Sequence, residues 1–78
     1  MTRVLLLGPA REAAGVRHDE IAGDTVADVL TAARERYGTP FDEILATSQI
    51  WLNGEPVDVH TGVGPQDEIA VLPPVSGG

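Results

Sequence analysis

Val4-Leu5-Leu6-Leu7 is a continuous apolar run closed by Gly8-Pro9. Four apolar residues in a row between breakers suit a strand covered on both faces and central in its sheet. Ala10 to Gly15 reads as a loop or short turn carrying Arg11 and Glu12, and Val16 to Ala22 is polar enough for a strand with one face in water. These two strands read as a hairpin pair. The period changes after Thr25: Val26, Val29, Leu30, Ala33 and Tyr37 recur at helical spacing up to Gly38. Thr25 is the expected N-cap and Asp28, three residues on, its reciprocal partner, while Gly38 stops the helix. The apolar stripe is the face expected to pack on the sheet. Thr39-Pro40 breaks the chain, and Phe41-Asp42-Glu43-Ile44-Leu45 is predicted to be a short helical turn begun by proline that closes one end of the core.

Ile50-Trp51-Leu52, then Asn53-Gly54, then Val57-Asp58-Val59 reads as two strands about a tight turn, because Asn-Gly supplies the positive φ values of a type I′ hairpin. Gly62 to Gln66 is loop, and Glu68-Ile69-Ala70-Val71-Leu72 is a last strand that runs into Pro73-Pro74. The elements read as β-β-α-β-β with a short helical insert, an α+β fold in which one main helix crosses one mixed sheet. Residues 1–72 form the expected domain and 73–78 an extended tail.

Composition narrows the chemistry. A chain of 78 residues is one small domain, able to bury about 60% of its unfolded surface. With no cysteine, disulfides, thiolate metal sites and thiol nucleophiles are excluded, so any sulfur handled here is borrowed. The opening residues 1–7 lack the apolar stretch of a signal peptide, and a cytoplasmic protein is the expectation. Twelve acidic residues stand against five arginines and no lysine, a net charge of −7. That charge repels nucleic acid and anionic membranes and favours basic partner surfaces, although it also serves solubility alone. His18 and His60 have no metal-ligand spacing around them, so no metal site is expected. Nor does any acid–base pair, phosphate loop or nucleophile triad stand out, and the chain alone is not expected to catalyse a reaction.

The chemistry concentrates in Leu72-Pro73-Pro74-Val75-Ser76-Gly77-Gly78. Each proline holds φ near about −65° and favours extended geometry, which projects the tail away from the strand before it. Gly77 and Gly78 have no Cβ and fit a channel too narrow for other residues, so the Gly78 carboxylate is the candidate reactive group. A carboxylate is an unreactive anion at neutral pH, and making it an acyl donor requires a better leaving group.

The stretch from Asp67 to Gly78, ending Pro-Pro-Val-Ser-Gly-Gly, closely resembles the MoaD/ThiS family of ubiquitin-like sulfur carriers, and most nearly its molybdopterin synthase small subunits. Weaker matches follow in order: Ala10-Arg11-Glu12-Ala13-Ala14-Gly15 after the first strand, Thr25-Val26-Ala27-Asp28-Val29-Leu30, and Leu52-Asn53-Gly54-Glu55. The resemblance implies a β-grasp fold. It implies that an E1-like enzyme adenylates Gly78 with ATP, that a sulfur donor converts the adenylate to a thiocarboxylate, and that no cofactor is bound by the chain itself. It further implies that the tail, Leu72, Pro73, Pro74, Val75, Ser76, Gly77 and Gly78, enters a large catalytic subunit in a heterotetramer, where sulfur passes to cyclic pyranopterin monophosphate to build a dithiolene.

The chain departs from the family pattern in two places. Gly8-Pro9 stands where relatives often carry Phe-Ala, with Leu7 for an aromatic, and the usual Gly-Asp-Glu turn appears as Gln66-Asp67-Glu68 with Gly64 two residues earlier. Leu7, Leu72 and Val75 flank the tail and are candidates for a docking patch or for the core. Trp51 alternates against Ile50 and Leu52, so it is either an outward anchor or a core residue. Arg11 and Glu12 read as a solvated surface pair. Three rival functions stand beside molybdopterin synthesis: a sulfur carrier for another product such as thiazole or cysteine, a ubiquitin-like protein modifier, and a non-covalent adapter with a dispensable tail. Without lysine, the chain offers no side-chain acceptor for linkage to itself.

Overall fold

The computed structural model describes residues 1–74. β1 (Thr2–Leu6) is followed by α1 (Pro9–Ala14), β2 (His18–Ile21), α2 (Val26–Tyr37), α3 (Thr39–Thr47), β3 (Gln49–Leu52), β4 (Glu55–Pro56) and β5 (Glu68–Leu72). The strands make one sheet in the order β2-β1-β5-β3-β4, in which β1 and β5 run parallel and every other neighbour is antiparallel. This is the α+β, ubiquitin-like arrangement expected from the sequence. The parallel register sets Val4 against Ile69 and Leu6 against Val71, and all four side chains are fully buried. With Ile21, Val26, Val29, Ala33 and Phe41 they form a core between one face of the sheet and the helices.

β1 is an interior strand, between β2 and the central β5, as its apolar run leads one to expect, but it is covered on one face only. Thr2, Val4 and Leu6 are buried, whereas Arg3 is exposed and Leu5 half-buried. The β2 strand pairs antiparallel with β1, and the segment between them is a helix where a loop or turn was expected. Pro9 opens α1 with a φ already suited to a helix, Gly15 closes it in the left-handed region at φ 79° with its N–H on the Arg11 carbonyl (2.9 Å), and Ala10 is buried beneath it.

The main helix forms as its sequence signals require. Thr25 Oγ1 accepts from the Asp28 N–H (3.1 Å) and the Asp28 carboxylate accepts from the Thr25 N–H (3.2 Å), closing a capping box. The helix α3 is longer than the short turn expected at residues 41–45. It extends to Thr47, where Ser48 Oγ and Thr47 Oγ1 both donate to the Ile44 carbonyl (2.7 and 3.2 Å) and occupy an acceptor that the helix end leaves free. Phe41 seats this helix in the core, its ring edge-on to Tyr37 with centroids 5.0 Å apart.

Asn53 (φ 52°) and Gly54 (φ 85°) form the expected hairpin turn between β3 and β4. The expected strand at Val57–Val59 does not form. β4 ends at Pro56, which has no N–H for the ladder, and the following residues instead supply carbonyls to the head of α2: Val59 O accepts from Ala27 N (2.8 Å) and Thr61 O from Val26 N (3.0 Å). The turn before β5 is organised by Asp67. Its carboxylate accepts from the Gly64 N–H (2.8 Å) and from Asn53 Nδ2 (3.0 Å), while the side-chain Oδ1 of Asn53 accepts from the Glu68 N–H (2.9 Å).

The outer edge of β2 is capped by side chains. Glu20 N–H donates to the Asp19 carboxylate (2.8 Å) and Arg36 donates to the Glu20 carbonyl (3.1 Å). Arg36 also pairs with Asp19 (2.9 Å), which accepts from the Tyr37 hydroxyl, so the end of α2 is tied to this strand. The hydrogen bond from Tyr37 and the Arg36 guanidinium hold the Asp19 carboxyl below the usual carboxylate range, while partial burial and the same hydrogen bond push the Tyr37 hydroxyl upward.

Two predictions follow from these local contacts. Thr25→Ala should cost about 1 kcal/mol in urea unfolding, the worth of a helix cap. The hydrogen bonds from Asn53 and the Gly64 amide lower the Asp67 pKa, so its contribution to stability is full above the ordinary carboxylate pKa and is lost as pH falls through the lower folded value. Asp67→Asn should therefore melt below the native chain at about pH 7, with the gap narrowing as pH falls below the ordinary carboxylate range and Asp67 protonates.

Candidate functional site

β5 lies between β1 and β3 and delivers the chain to the root of the tail. The ladder of β1 with β5 ends where Leu7 N–H donates to the Val71 carbonyl at 3.1 Å. Leu72 is half-buried, and Pro73 and Pro74 are exposed beyond it. Val75, Ser76, Gly77 and Gly78, expected to complete the reactive tail, lie outside the described residues. Beside the tail root, Gly8, Pro9, Arg11, Glu12 and Gly15 line an open depression of about 550 Å³.

The face of the sheet turned away from the helices is the second component. Because opposed residues in a sheet point to the same side, the pairings His18–Leu5, Leu5–Ala70, Ala70–Trp51 and Trp51–Pro56 set these five residues in one row across all five strands. A neighbouring row sets Leu72 beside Gln49, and the opposite one sets Arg3 beside Glu20 and Glu68. Leu5, Trp51, Ala70 and Leu72 are each half-buried and stand outside the core cluster. Trp51 is thus an open-face residue; its Nε1–H donates to Gln49 Oε1 at 3.2 Å on the same face.

Of the residues singled out from the sequence, Leu72 and Trp51 share this face. Leu7 is half-buried and outside the core cluster, one residue past the end of β1. Leu5 and Ala70 complete the apolar row and were not singled out. Leu5 was hidden in a run that looked buried on both faces, and Ala70 is too small to stand out as an anchor. The signal available was the two-residue alternation within Glu68–Leu72, which separates Ile69 and Val71 from Glu68, Ala70 and Leu72.

Charge borders the apolar row. Arg3, His18, Asp19, Glu20 and Glu68 line a depression of about 610 Å³ at the β2 side. Arg3 and Glu68 are 4.0 Å apart across it, an exposed pair of little energetic weight. The surface is therefore apolar along the centre and largely acidic at one border. It suits a protein partner with an apolar patch and basic surroundings.

Comparison with known proteins gives a consistent result. The model of a family described as the ThiS family matches residues 4–78. No curated protein matches the chain significantly. Among solved structures, small archaeal modifier protein 1 from Methanosarcina acetivorans is similar with a TM-score of 0.88 and 28% identity, over 99% of this chain and 95% of that one. A putative molybdopterin converting factor subunit 1 from Pyrococcus furiosus gives a TM-score of 0.84 and 27% identity, over 95% and 97%. A chain in the complex of subunits 1 and 2 of the molybdopterin-converting factor from Helicobacter pylori gives 0.75 and 26%, over 99% and 97%.

The two faces of the sheet should respond differently to truncation. Ile69→Ala, in the core, should lower unfolding free energy by about 2–5 kcal/mol, whereas Trp51→Ala on the open face should cost about 1 kcal/mol or less. Urea titrations of both variants check this; equal losses would place Trp51 in the core energetically.

Proposed function

We propose, for a chain that belongs to the ThiS family of ubiquitin-like sulfur carriers, the role of small subunit of a molybdopterin synthase, carrying sulfur as a thiocarboxylate on Gly78. The observation that carries this reading is the junction at Leu72: the central strand β5 ends there and passes directly into an exposed Pro73-Pro74, next to an apolar open face. The likeness to subunit 1 proteins from Pyrococcus furiosus and Helicobacter pylori supports it, the latter in a complex with subunit 2.

The chemistry follows from the needs of a carboxylate. An E1-like enzyme transfers AMP from ATP to the Gly78 carboxylate and releases pyrophosphate. A sulfide-level sulfur nucleophile then attacks the acyl carbon, a C–S bond forming as the C–O bond to AMP breaks, and AMP leaves a C-terminal thiocarboxylate behind. The open face docks the chain on a large subunit, in a heterotetramer, and the tail carries the thiocarboxylate to cyclic pyranopterin monophosphate. Each carrier gives up one sulfur as its acyl–sulfur bond is hydrolysed, and Gly78 returns to a carboxylate. The small subunit is consumed and reloaded, while catalysis belongs to the large one.

A second reading is a ubiquitin-like modifier, favoured by the likeness to small archaeal modifier protein 1. In that role Gly78 would form isopeptide bonds with lysines of other proteins. One experiment separates the two. Co-expressed with its own activating enzyme and sulfur donor, the chain should gain the mass of one sulfur-for-oxygen exchange at Gly78. Adding the large subunit and the pyranopterin precursor should consume the thiocarboxylate and yield a dithiolene. Loading without consumption would remove molybdopterin as the product. Absence of loading, with adducts on foreign lysines, would favour the modifier.

A further inference from the structure

Asn53-Gly54 is a reactive pair as well as a turn, and Asn53 is the only asparagine in the chain. A side-chain amide followed by glycine can cyclise, because the glycine nitrogen carries no neighbouring Cβ to hinder its approach to the asparagine Cγ. Both residues are exposed, and among the described residues nothing accepts a hydrogen bond from the Gly54 N–H. The nucleophile is free, but the electrophile is held. Asn53 Nδ2–H donates to Asp67 Oδ1 (3.0 Å), Asn53 Oδ1 accepts from the Glu68 N–H (2.9 Å), and the Asn53 N–H donates to the Glu68 carbonyl (2.9 Å). These bonds fasten the residue to the start of β5 while its backbone sits in the left-handed region at φ 52°.

From this geometry we infer that Asn53 is a modification site, a deamidation centre that the Asp67 carboxylate and the Glu68 amide hold shut while the turn is closed. In the reaction a bond forms between the Gly54 nitrogen and Asn53 Cγ as the Cγ–Nδ2 bond breaks. Nδ2 leaves as ammonia with the proton given up by the Gly54 N–H. Water then opens the resulting succinimide at either carbonyl, which leaves aspartate or isoaspartate at position 53. Closing the five-membered ring turns Asn53 about its Cα–Cβ and Cα–C bonds, so its amide first has to leave both partners. The rate of modification is then the rate in the open turn multiplied by the fraction of time the turn is open. The product cannot restore the old contacts. Asp67 loses the donor that does most to hold its carboxyl below the usual range, and it faces a second carboxylate instead. Isoaspartate also adds a methylene to the main chain inside a two-residue turn, whose length sets the register of the hairpin. Either product adds negative charge beside Glu68, at the charged border of the open face.

The test incubates the full chain at mildly alkaline pH, folded and unfolded in guanidinium chloride, beside folded Asp67→Ala. Peptide mass spectrometry reads the exchange of NH for oxygen at Asn53, and hydrogen exchange at Val4 and Ile69 reports whether the variant is folded. The unfolded chain should be modified at Asn53 and the folded chain at least about tenfold more slowly. Asp67→Ala should be modified at least about threefold faster than the folded native chain. Asn53→Asp carries one product directly and decides the matter if Asp67→Ala does not fold. It should melt below the native chain at neutral pH, with the gap narrowing on acidification as the facing carboxylates protonate. Equal rates for the folded and unfolded chain, a folded Asp67→Ala that keeps the native rate, or no exchange at Asn53 even when unfolded would each overturn the inference. So would an Asn53→Asp chain that melts with the native one at neutral pH.

Discussion

The parallel pairing of β1 with β5 is the constraint from which the rest of the molecule follows. It joins residues more than sixty positions apart, and it lines up Val4 with Ile69 and Leu6 with Val71, all fully buried. Closing so long a loop is entropically costly, and the burial of these four side chains, with the helices packed over them, offsets that cost. The same pairing decides where the chain can act. Because β5 runs beside β1 in the same direction, it ends at the place where β1 turns into α1, and the tail root lies beside Gly8 there.

The two faces of the sheet have separate roles. One is closed by α2 and α3 and contains the core; the other carries Leu5, Ala70, Trp51 and Leu72 with acidic neighbours at one border. A domain this small has little apolar surface to leave outside its core. Leaving a row of it on the open face, bounded by charge, is compatible with both solubility and specific association. The net charge of −7 adds long-range attraction to a basic partner, which acts on encounter rate more than on the strength of the final contact.

Much of the fold could be read from the chain because several signals were local. The Thr25–Asp28 capping box, the stripe from Val26 to Tyr37 and the Asn53-Gly54 turn each depend on residues a few positions apart, and each appears in the structure as expected. Other features depended on distant partners. Val57–Val59 has the composition of a strand, but the unsatisfied N–H groups at the head of α2 recruit the carbonyls of Val59 and Thr61. The segment Ala10–Gly15 reads in the sequence as a loop or short turn, although Pro9 and Gly15 bracket a helical turn and a half; its helix is secured by Ala10 entering the core, which its neighbours in sequence do not reveal. At the site, the tail stood out through its prolines and glycines, and Trp51 through its alternation. Leu5 and Ala70 were invisible, since membership of the open face is a property of the register between three strands.

The capping of the β2 edge has a consequence for how the protein behaves in crowded solution. A sheet ending in free amide and carbonyl groups invites another strand to join it, which is how small β-rich proteins begin to polymerise. Here the Glu20 amide and carbonyl are already engaged by Asp19 and Arg36, and at the far edge β4 is two residues long and ends in Pro56, which has no N–H to offer. With the Glu20 groups engaged and β4 cut short at Pro56, neither border offers a long free ladder on which copies of the domain could pair edge to edge.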